Sequence, residues 1–251
     1  MVTTHLSNMV PGNQRLVHPD SVVCGFAETE ITGVTNNADI WAGSGAAAIQ
    51  PEPDTGGYAI FVKSSDATDN LTGVGVRTVE VHYLDTAGLE QSVSVDLNGV
   101  TEVDSGVTDC MFVQDHHATA VGTTLVSVGT VDCLAGSAGA VVSRIPIAGN
   151  QSLSTMFQVP AGKKLIITGW LAAGVASTVK IATLRLRTSS HGEVSAPGIY
   201  HFINSTRVKD FAGPWIPMNK EIPALACVKI SAWTDGTISL SAQWCGQLEN
   251  V

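Results

Sequence analysis

Between Gly75 and Val100 the chain reads GVRTVEVHYLDTAGLEQSVSVDLNGV, and apolar and polar positions alternate along it. Val79, Val81 and Tyr83 alternate with Thr78, Glu80 and His82; Val93, Val95 and Leu97 then alternate with Ser92, Ser94 and Asp96. A period of two is that of a strand with one buried face. Setting both apolar rows on the same face of a hairpin places Val81 opposite Val93. The loop is then Thr86-Ala87-Gly88, with glycine where a left-handed backbone is wanted. Asn98-Gly99 supplies the next turn.

The same alternation, broken by turn residues, predicts further strands over 57–63, 110–113, 124–128 and 139–145. It restarts after Pro146 over 153–159, 163–171 and 178–188, where a change of phase suggests a bulge near Ala182. Around Asp235-Gly236 a three-residue loop would set Ala226, Val228, Ile230 and Ala232 opposite Trp244, Ala242, Leu240 and Ile238, one consistent apolar face. Cys227 and Cys245 would then be diagonal neighbours on the other face. Diagonal Cβ atoms lie up to about 7–8 Å apart, against the roughly 3.8 Å a disulfide needs, so both are predicted reduced. Residues 1–56 are the least regular part, with glycine, alanine and proline through 43–53 and too few hydrophobic residues for a core of their own. The pattern therefore predicts an all-β chain: an extended N-terminal arm (1–56) and two β-sandwich, jelly-roll-like domains (57–145 and 146–251). The arm is expected to pack along its own body or along a neighbouring subunit, anchored by Ile40 and Trp41; the alternative is that Trp41 covers an edge of its own domain.

Composition agrees with strands. Of 251 residues, 44% are hydrophobic, enough for substantial cores, and only 14% are charged. A net charge of −9 lacks the clustered lysine and arginine of a nucleic-acid footprint, so no nucleic acid is expected as a partner. No stretch approaches the roughly 20 apolar residues of a membrane-spanning helix, and the N-terminus lacks the plan of a signal peptide; a chain made in a cytoplasm, with no membrane partner, is expected. The five cysteines (24, 110, 133, 227 and 245) have no Cys-x-x-Cys spacing and are expected as buried free thiols.

Candidate chemistry is sparse. Asp115-His116-His117 is the most metal-like cluster, but neighbours on a strand point to opposite faces, so one site would rarely use both imidazoles. The other histidines show no spacing that brings them together, and His82 is expected on the solvent face of its hairpin. Ala135-Gly136-Ser137-Ala138-Gly139 has its first glycine one place late for a nucleophile elbow, with no helix pattern after it. Gly162-Lys163-Lys164 continues into a strand and is no phosphate loop. No catalytic residue, cofactor or metal site is expected. Of the five tryptophans, Trp170, Trp233 and Trp244 fall in strand patterns and are expected in cores; Trp215, in the proline-bounded loop 211–217 with Phe211, is the expected exposed contact.

Several stretches, in order and spacing, resemble a widespread family of tailed-bacteriophage virion structural proteins. These are Asp39-Ile-Trp-Ala-Gly43, Gly73-Val-Gly-Val-Arg-Thr-Val-Glu-Val-His-Tyr-Leu-Asp85, Val95-Asp-Leu-Asn-Gly-Val100, Ile147-Ala-Gly-Asn-Gln-Ser152, Phe157-Gln-Val-Pro-Ala-Gly-Lys163 and Leu184-Arg-Leu-Arg187. The chain departs from that family in the sparse glycine after Trp41 and in its extra cysteines. The resemblance implies a non-enzymatic capsid decoration or cement protein, a homotrimer seated on the major capsid protein where subunits meet. Its place would be the virion, after synthesis in the host cytoplasm. Ile40, Trp41, Phe211 and Trp215 are the interface candidates. The alternative is a tail- or fibre-associated protein that binds a host glycan.

Overall fold

The computed structural model describes residues 22–43, 49–176, 180–191, 194–195, 198–209 and 211–251; the side chains of residues 35, 36, 191, 194, 195, 211 and 212 fall outside the description. The described chain has strands and no helix, and every strand pair is antiparallel. Residues of the expected arm form β1 (Val22–Ile31) and β2 (Val34–Asp39), which lie along the chain's own C-terminal half.

Seven strands then build a sandwich. One sheet runs in the order β6-β3-β8-β9, from β3 (Ile60–Ser64), β6 (Val103–Asp104), β8 (Val131–Ala135) and β9 (Ala140–Ile145). The other runs β5-β4-β7, from β4 (Val76–Asp85), β5 (Glu90–Asp96) and β7 (Cys110–Val121). The β4–β5 register is the predicted one, with Val81 opposite Val93 and Gly88 in the loop at φ 76°. Ile60, Val62, Val79, Val81, Val113 and Ile145 fill the space between the sheets.

The strand expected over 124–128 is instead a loop. Asp69, fully buried, accepts hydrogen bonds from the backbone N–H groups of Val76 (2.8 Å), Val128 (3.0 Å) and Gly129 (2.8 Å) and from Ser64 Oγ (2.7 Å). Amides held by a carboxylate are not available to a sheet ladder, and Leu125 has a left-handed backbone at φ 62°. In this sandwich the sequence pattern misses β6 and β8; the β8 residues from Val131 to Leu134 are all buried, so no alternation marks them.

His116, on β7, points into this core and pins the two sheets. Its Nε2 lies 3.1 Å from the Val131 carbonyl oxygen, which only accepts, so Nε2–H is the donor. Nδ1 then accepts from Ser143 Oγ at 3.0 Å. Burial of the neutral ring pushes its pKa down from 6.5 to about 4.

The second sandwich takes β10 (Phe157–Gln158), β11 (Lys163–Val175), β12 (Ala182–Thr188), β13 (Ser190–His191), β14 (Val194–Ser195), β15 (His201–Val208), β16 (Phe211–Ala212), β17 (Ile216–Ile222), β18 (Cys227–Asp235) and β19 (Ile238–Asn250). One sheet runs β1-β19-β11-β16, with β17 also on β11; the facing sheet runs β10-β18-β12-β15, with β2 also on β18; β13 and β14 form a small ribbon. The phase change near Ala182 marks the start of β12, and no bulge lies there; the register shift on this strand is between Leu186 and Arg187. Val23, Ala27, Ile31, Ala38 and Ile40 join this core, so the segment too poor in hydrophobic residues for a core of its own completes another.

The C-terminal hairpin is corrected. β18 and β19 do not pair: they belong to opposite sheets, and the chain turns a corner between them. The expected faces are nonetheless right, since Val228, Ile230, Ala232, Ile238, Leu240, Ala242 and Trp244 are all in one core. Two inward rows meet across a sandwich as readily as side by side on a sheet, and alternation reports only which way they face. Trp244 lies over Gly25 of β1, where a Cβ would come within 2.5 Å of the ring, and its Nε1–H donates to the Thr155 carbonyl oxygen at 2.7 Å.

Five free thiols are corrected too. Cys24 and Cys245 are directly opposed in the β1–β19 pair and form a disulfide with Cα atoms 4.1 Å apart. The partner of Cys245 is not its expected diagonal neighbour Cys227 but a residue 221 positions earlier. Cys110, Cys133 and Cys227 are buried and free, and burial raises the pKa of each thiol.

The two sandwiches are stitched together. The β4–β5 loop docks on the second one: Gly88 lies against Leu225, and its carbonyl oxygen accepts from Ala161 N at 2.8 Å. Gln114 Nε2 donates to the Gln158 carbonyl oxygen at 2.6 Å, and Phe112, Met156 and Cys227 form a small apolar cluster alongside.

Two outcomes follow. Replacing both Cys24 and Cys245 by serine removes a cross-link that closes a long loop, and thermal melting should shift down by roughly 5–15 °C, for a loss of about 2–4 kcal/mol. An unchanged melting temperature would mean the bond is not formed in solution. For His116 the folded imidazole resists protonation down to about 4, whereas the unfolded one protonates near 6.5. The His116 contribution is therefore flat above pH 6.5 and falls by about 1.4 kcal/mol per pH unit between 6.5 and 4, roughly 3 kcal/mol in all. Denaturant titrations across that window should lose this slope in His116→Gln, which starts from a lower baseline.

Candidate interaction surfaces

The interface residues read from the sequence divide. Ile40 and Trp41 are core residues: Ile40 is fully buried, and Trp41 is 4% exposed with its ring folded over Gly43. Tertiary pairing of β2 with β18 buries them, so neither is a surface anchor. The Phe211 backbone pairs with Gly174 on β11, and its side chain lies outside the described residues. Trp215 is 40% exposed, between β16 and β17, with its ring against Gly169. Ser137 sits in the β8–β9 turn, its hydroxyl donating to Glu102 Oε2 at 3.0 Å.

The surface richest in recognition chemistry is one the sequence reading assigned to a core. On β18 the inward row Val228, Ile230, Ala232 leaves Cys227, Lys229, Ser231 and Trp233 facing outward; on β12, Leu184 and Leu186 turn in and Arg185 and Arg187 turn out. Phe202 of β15 stands beside them, 62% exposed. The Arg185 guanidinium lies 3.7 Å from the Trp233 ring centroid and 4.4 Å from that of Phe202, and the two rings meet edge to face at 6.5 Å. Arg187 stacks 5.3 Å from the Tyr200 ring and 5.7 Å from Trp233. Burial lowers the Arg187 pKa. The signal was present: the alternation that turns Val228, Ile230 and Ala232 inward puts Trp233 on the other face with Cys227.

Along the same outward row toward the first sandwich, the face is covered. Lys229 is 3% exposed, and its Nζ pairs with Asp39 Oδ2 at 3.0 Å and Glu52 Oε1 at 2.9 Å, and lies 4.1 Å from the Tyr200 ring centroid. Tyr200 donates its hydroxyl to Glu52 Oε2 at 2.6 Å. Asp39 Oδ1 accepts from Ser231 Oγ at 2.8 Å, and its Oδ2 also accepts from Gln50 N at 3.1 Å. Burial raises the Tyr200 pKa, so the phenol stays protonated as a donor.

A second polar group lies on the outward face of the β4–β7 pair. Glu80 is opposite His117 and His82 is opposite Asp115. The imidazoles of His82 and His117 stack at 5.3 Å and 16°. Each Nε2 lies 3.9 Å from a Glu80 carboxylate oxygen, and Asp115 Oδ1 lies 3.9 Å from His117 Nδ1. The Asp115 carboxylate beside its ring raises the His117 pKa against its partial burial. As expected for neighbours on a strand, His116 points inward and His117 outward. His82 does meet another histidine, however, because the partner is on a strand far along the chain.

No family model matches the chain, the tailed-bacteriophage family of the sequence resemblance included. No curated protein matches it either. Solved structures similar to it include one of infectious bursal disease virus, Gt strain, at 12% identity, covering 96% of this chain and 74% of that one with a TM-score of 0.25. The structure of the Gx strain is 11% identical and covers 95% and 73%, with a TM-score of 0.25. The VP2 subviral particle of the same virus is 11% identical, covers 95% and 73%, and has a TM-score of 0.20. Likeness at this level defines neither a shared fold nor a shared role.

The buried cation yields a direct test. Lys229→Ala leaves the Asp39 carboxylate buried without its counter-charge, and chemical denaturation should report a loss of about 3–5 kcal/mol. A loss under about 1 kcal/mol would mean that water reaches Asp39.

Proposed function

We propose that this chain is a virion structural protein, and within that class a capsid decoration, or cement, protein that binds the outer surface of a phage head at junctions between major capsid protein subunits. It acts without catalysis, as a homotrimer. The observation that carries the reading is the face of Arg185, Arg187, Phe202 and Trp233. Arginine and large aromatic residues are the side chains that dominate binding energy at protein interfaces. They are mounted here on the outside of a stiff sandwich, where little ordering is needed on binding. The sequence resemblance to virion proteins of tailed bacteriophages supports the same reading, as does the Cys24–Cys245 disulfide, which suits a particle that leaves a reducing cytoplasm. A cement protein stabilises the shell by mass action: it buries surface across several subunits of the assembled state only.

The second reading, a tail-associated glycan binder, draws on the same outward-facing aromatic rings, Phe202 exposed and Trp233 half-buried. It is the weaker of the two, because the Arg185 guanidinium covers one face of Trp233, the surface a sugar ring would stack on.

Purified protein added to heads that lack it should raise the temperature at which the shell opens. Trp233→Ala combined with Arg185→Ala should weaken head binding at least about 100-fold, a loss of about 3 kcal/mol or more, with the melting temperature of the free protein nearly unchanged. Head stability unaffected by saturating protein, or binding indifferent to the double substitution, would overturn the proposal. Copy number separates the readings: hundreds per particle for a shell component, a few tens or fewer for an appendage.

A further inference from the structure

We propose that Glu80, His82 and His117 form a binding site for a divalent transition cation of the zinc class, with Asp115 as the carboxylate that orients His117. Three residues that sequence spacing kept apart are brought together by the β4–β7 register, which sets Glu80 beside His117 and His82 beside Asp115 on one outward face. The candidate ligand atoms of Glu80, His82 and His117 all lie within 4.8 Å of one another.

The separations favour an ion over direct contact. Each imidazole Nε2 is 3.9 Å from the Glu80 carboxylate, beyond the roughly 3.2 Å limit of a good hydrogen bond. Bonds of about 2.0–2.2 Å to a tetrahedral cation set neighbouring ligand atoms about 3.4 Å apart, so a side-chain adjustment of about half an ångström closes the Glu80 contacts. Both Nε2 atoms lie at this one carboxylate, and the stacked rings restrict each other's rotation. On the far side of the His117 ring, Asp115 Oδ1 lies 3.9 Å from Nδ1, on the side where a metal-bound imidazole places its orienting carboxylate, and a shift of about an ångström would bring it to hydrogen-bond distance.

Chemistry selects the ion. Two imidazoles and one carboxylate form a borderline nitrogen-and-oxygen set suited to zinc, cobalt, nickel or copper, and poor in the oxygen ligands that calcium or magnesium require. Two carboxylates within one small cluster add a field that favours a dication. All four side chains are partly exposed, so a fourth coordination position opens to water or to a group from a neighbouring molecule. This proposal stands independently of the virion reading.

The test uses the full chain, stripped with a chelator and titrated with zinc chloride by calorimetry. Cobalt(II) serves as the spectroscopic probe. One equivalent should bind with a micromolar or tighter dissociation constant, and cobalt should show the visible absorption of a four- or five-coordinate nitrogen–oxygen site. His82→Ala, His117→Ala and Glu80→Gln should each weaken binding at least about tenfold, while Asp115→Asn should weaken it about 10- to 100-fold and keep the cobalt spectrum. His201→Ala should change nothing. Because these side chains face outward, melting temperatures of the unloaded variants should stay close to that of the parent, which separates lost ligands from lost folding; a variant that does unfold is replaced by His82→Gln or His117→Gln. Three outcomes would overturn the site: no binding below millimolar zinc, unchanged stoichiometry in the combined His82→Ala and His117→Ala variant, or a thiolate-to-cobalt charge-transfer band assigning the ion to cysteine.

Discussion

One buried ammonium group governs how the two halves of this molecule are held. Lys229, near the end of the chain, takes the carboxylates of Asp39 and Glu52, which precede the first sandwich. Asp39 in turn holds the amide of Gln50, whose side chain reaches the Val142 carbonyl oxygen on β9 and accepts from Ser154 Oγ. The connection between the sandwiches is thus tied at both ends by polar contacts, each buried at one partner or both. A buried charge is tolerated only when its partners are fixed, so the network ties the path of residues 49–52 to the outer face of β18.

That constraint shapes the surface as well. The outward row of β18 starts at Cys227 under the first sandwich, passes through Lys229 and Ser231 under the connecting segment, and emerges at Trp233. Arg185 and Phe202 flank the place where it emerges. Covering the row at one end and exposing it at the other leaves arginine and aromatic side chains together on rigid strands. The Glu80, His82, Asp115 and His117 group arises from the other sandwich in a comparable way, as the solvent side of a strand pair whose inward side is core.

The disulfide acts on another part of the same closure. β1 returns from the start of the described chain to pair with β19 along ten residues, and Cys24 and Cys245 fix that pairing covalently. Gly25 lets the Trp244 ring lie directly on the β1 backbone next to the bond. A strand that arrives from so far along the chain carries a loop-closure cost in the unfolded state, and the cross-link removes part of it.

By itself the sequence determined which way side chains face. Alternation within 75–100 yielded the β4–β5 pair with its register and its glycine turn, because partners ten or so residues apart leave one workable loop. It also assigned the inward rows of β18 and β19 and opposite faces for His116 and His117. Partners distant along the chain were the decision of the tertiary structure. Alternation is a property of a strand alone and carries no address, so β1 on β19, β18 facing β19 across a core, Cys24 on Cys245 and His82 on His117 follow only when both sandwiches close. The same holds for residues 22–39, whose thinly spread hydrophobic side chains become core once two sheets supply the rest of it, and for the loop over 124–128, whose amides go to the Asp69 carboxylate at Val128 and to the carbonyl oxygens of Val74, Gly122 and Gly149 at Thr124, Leu125 and Ser127.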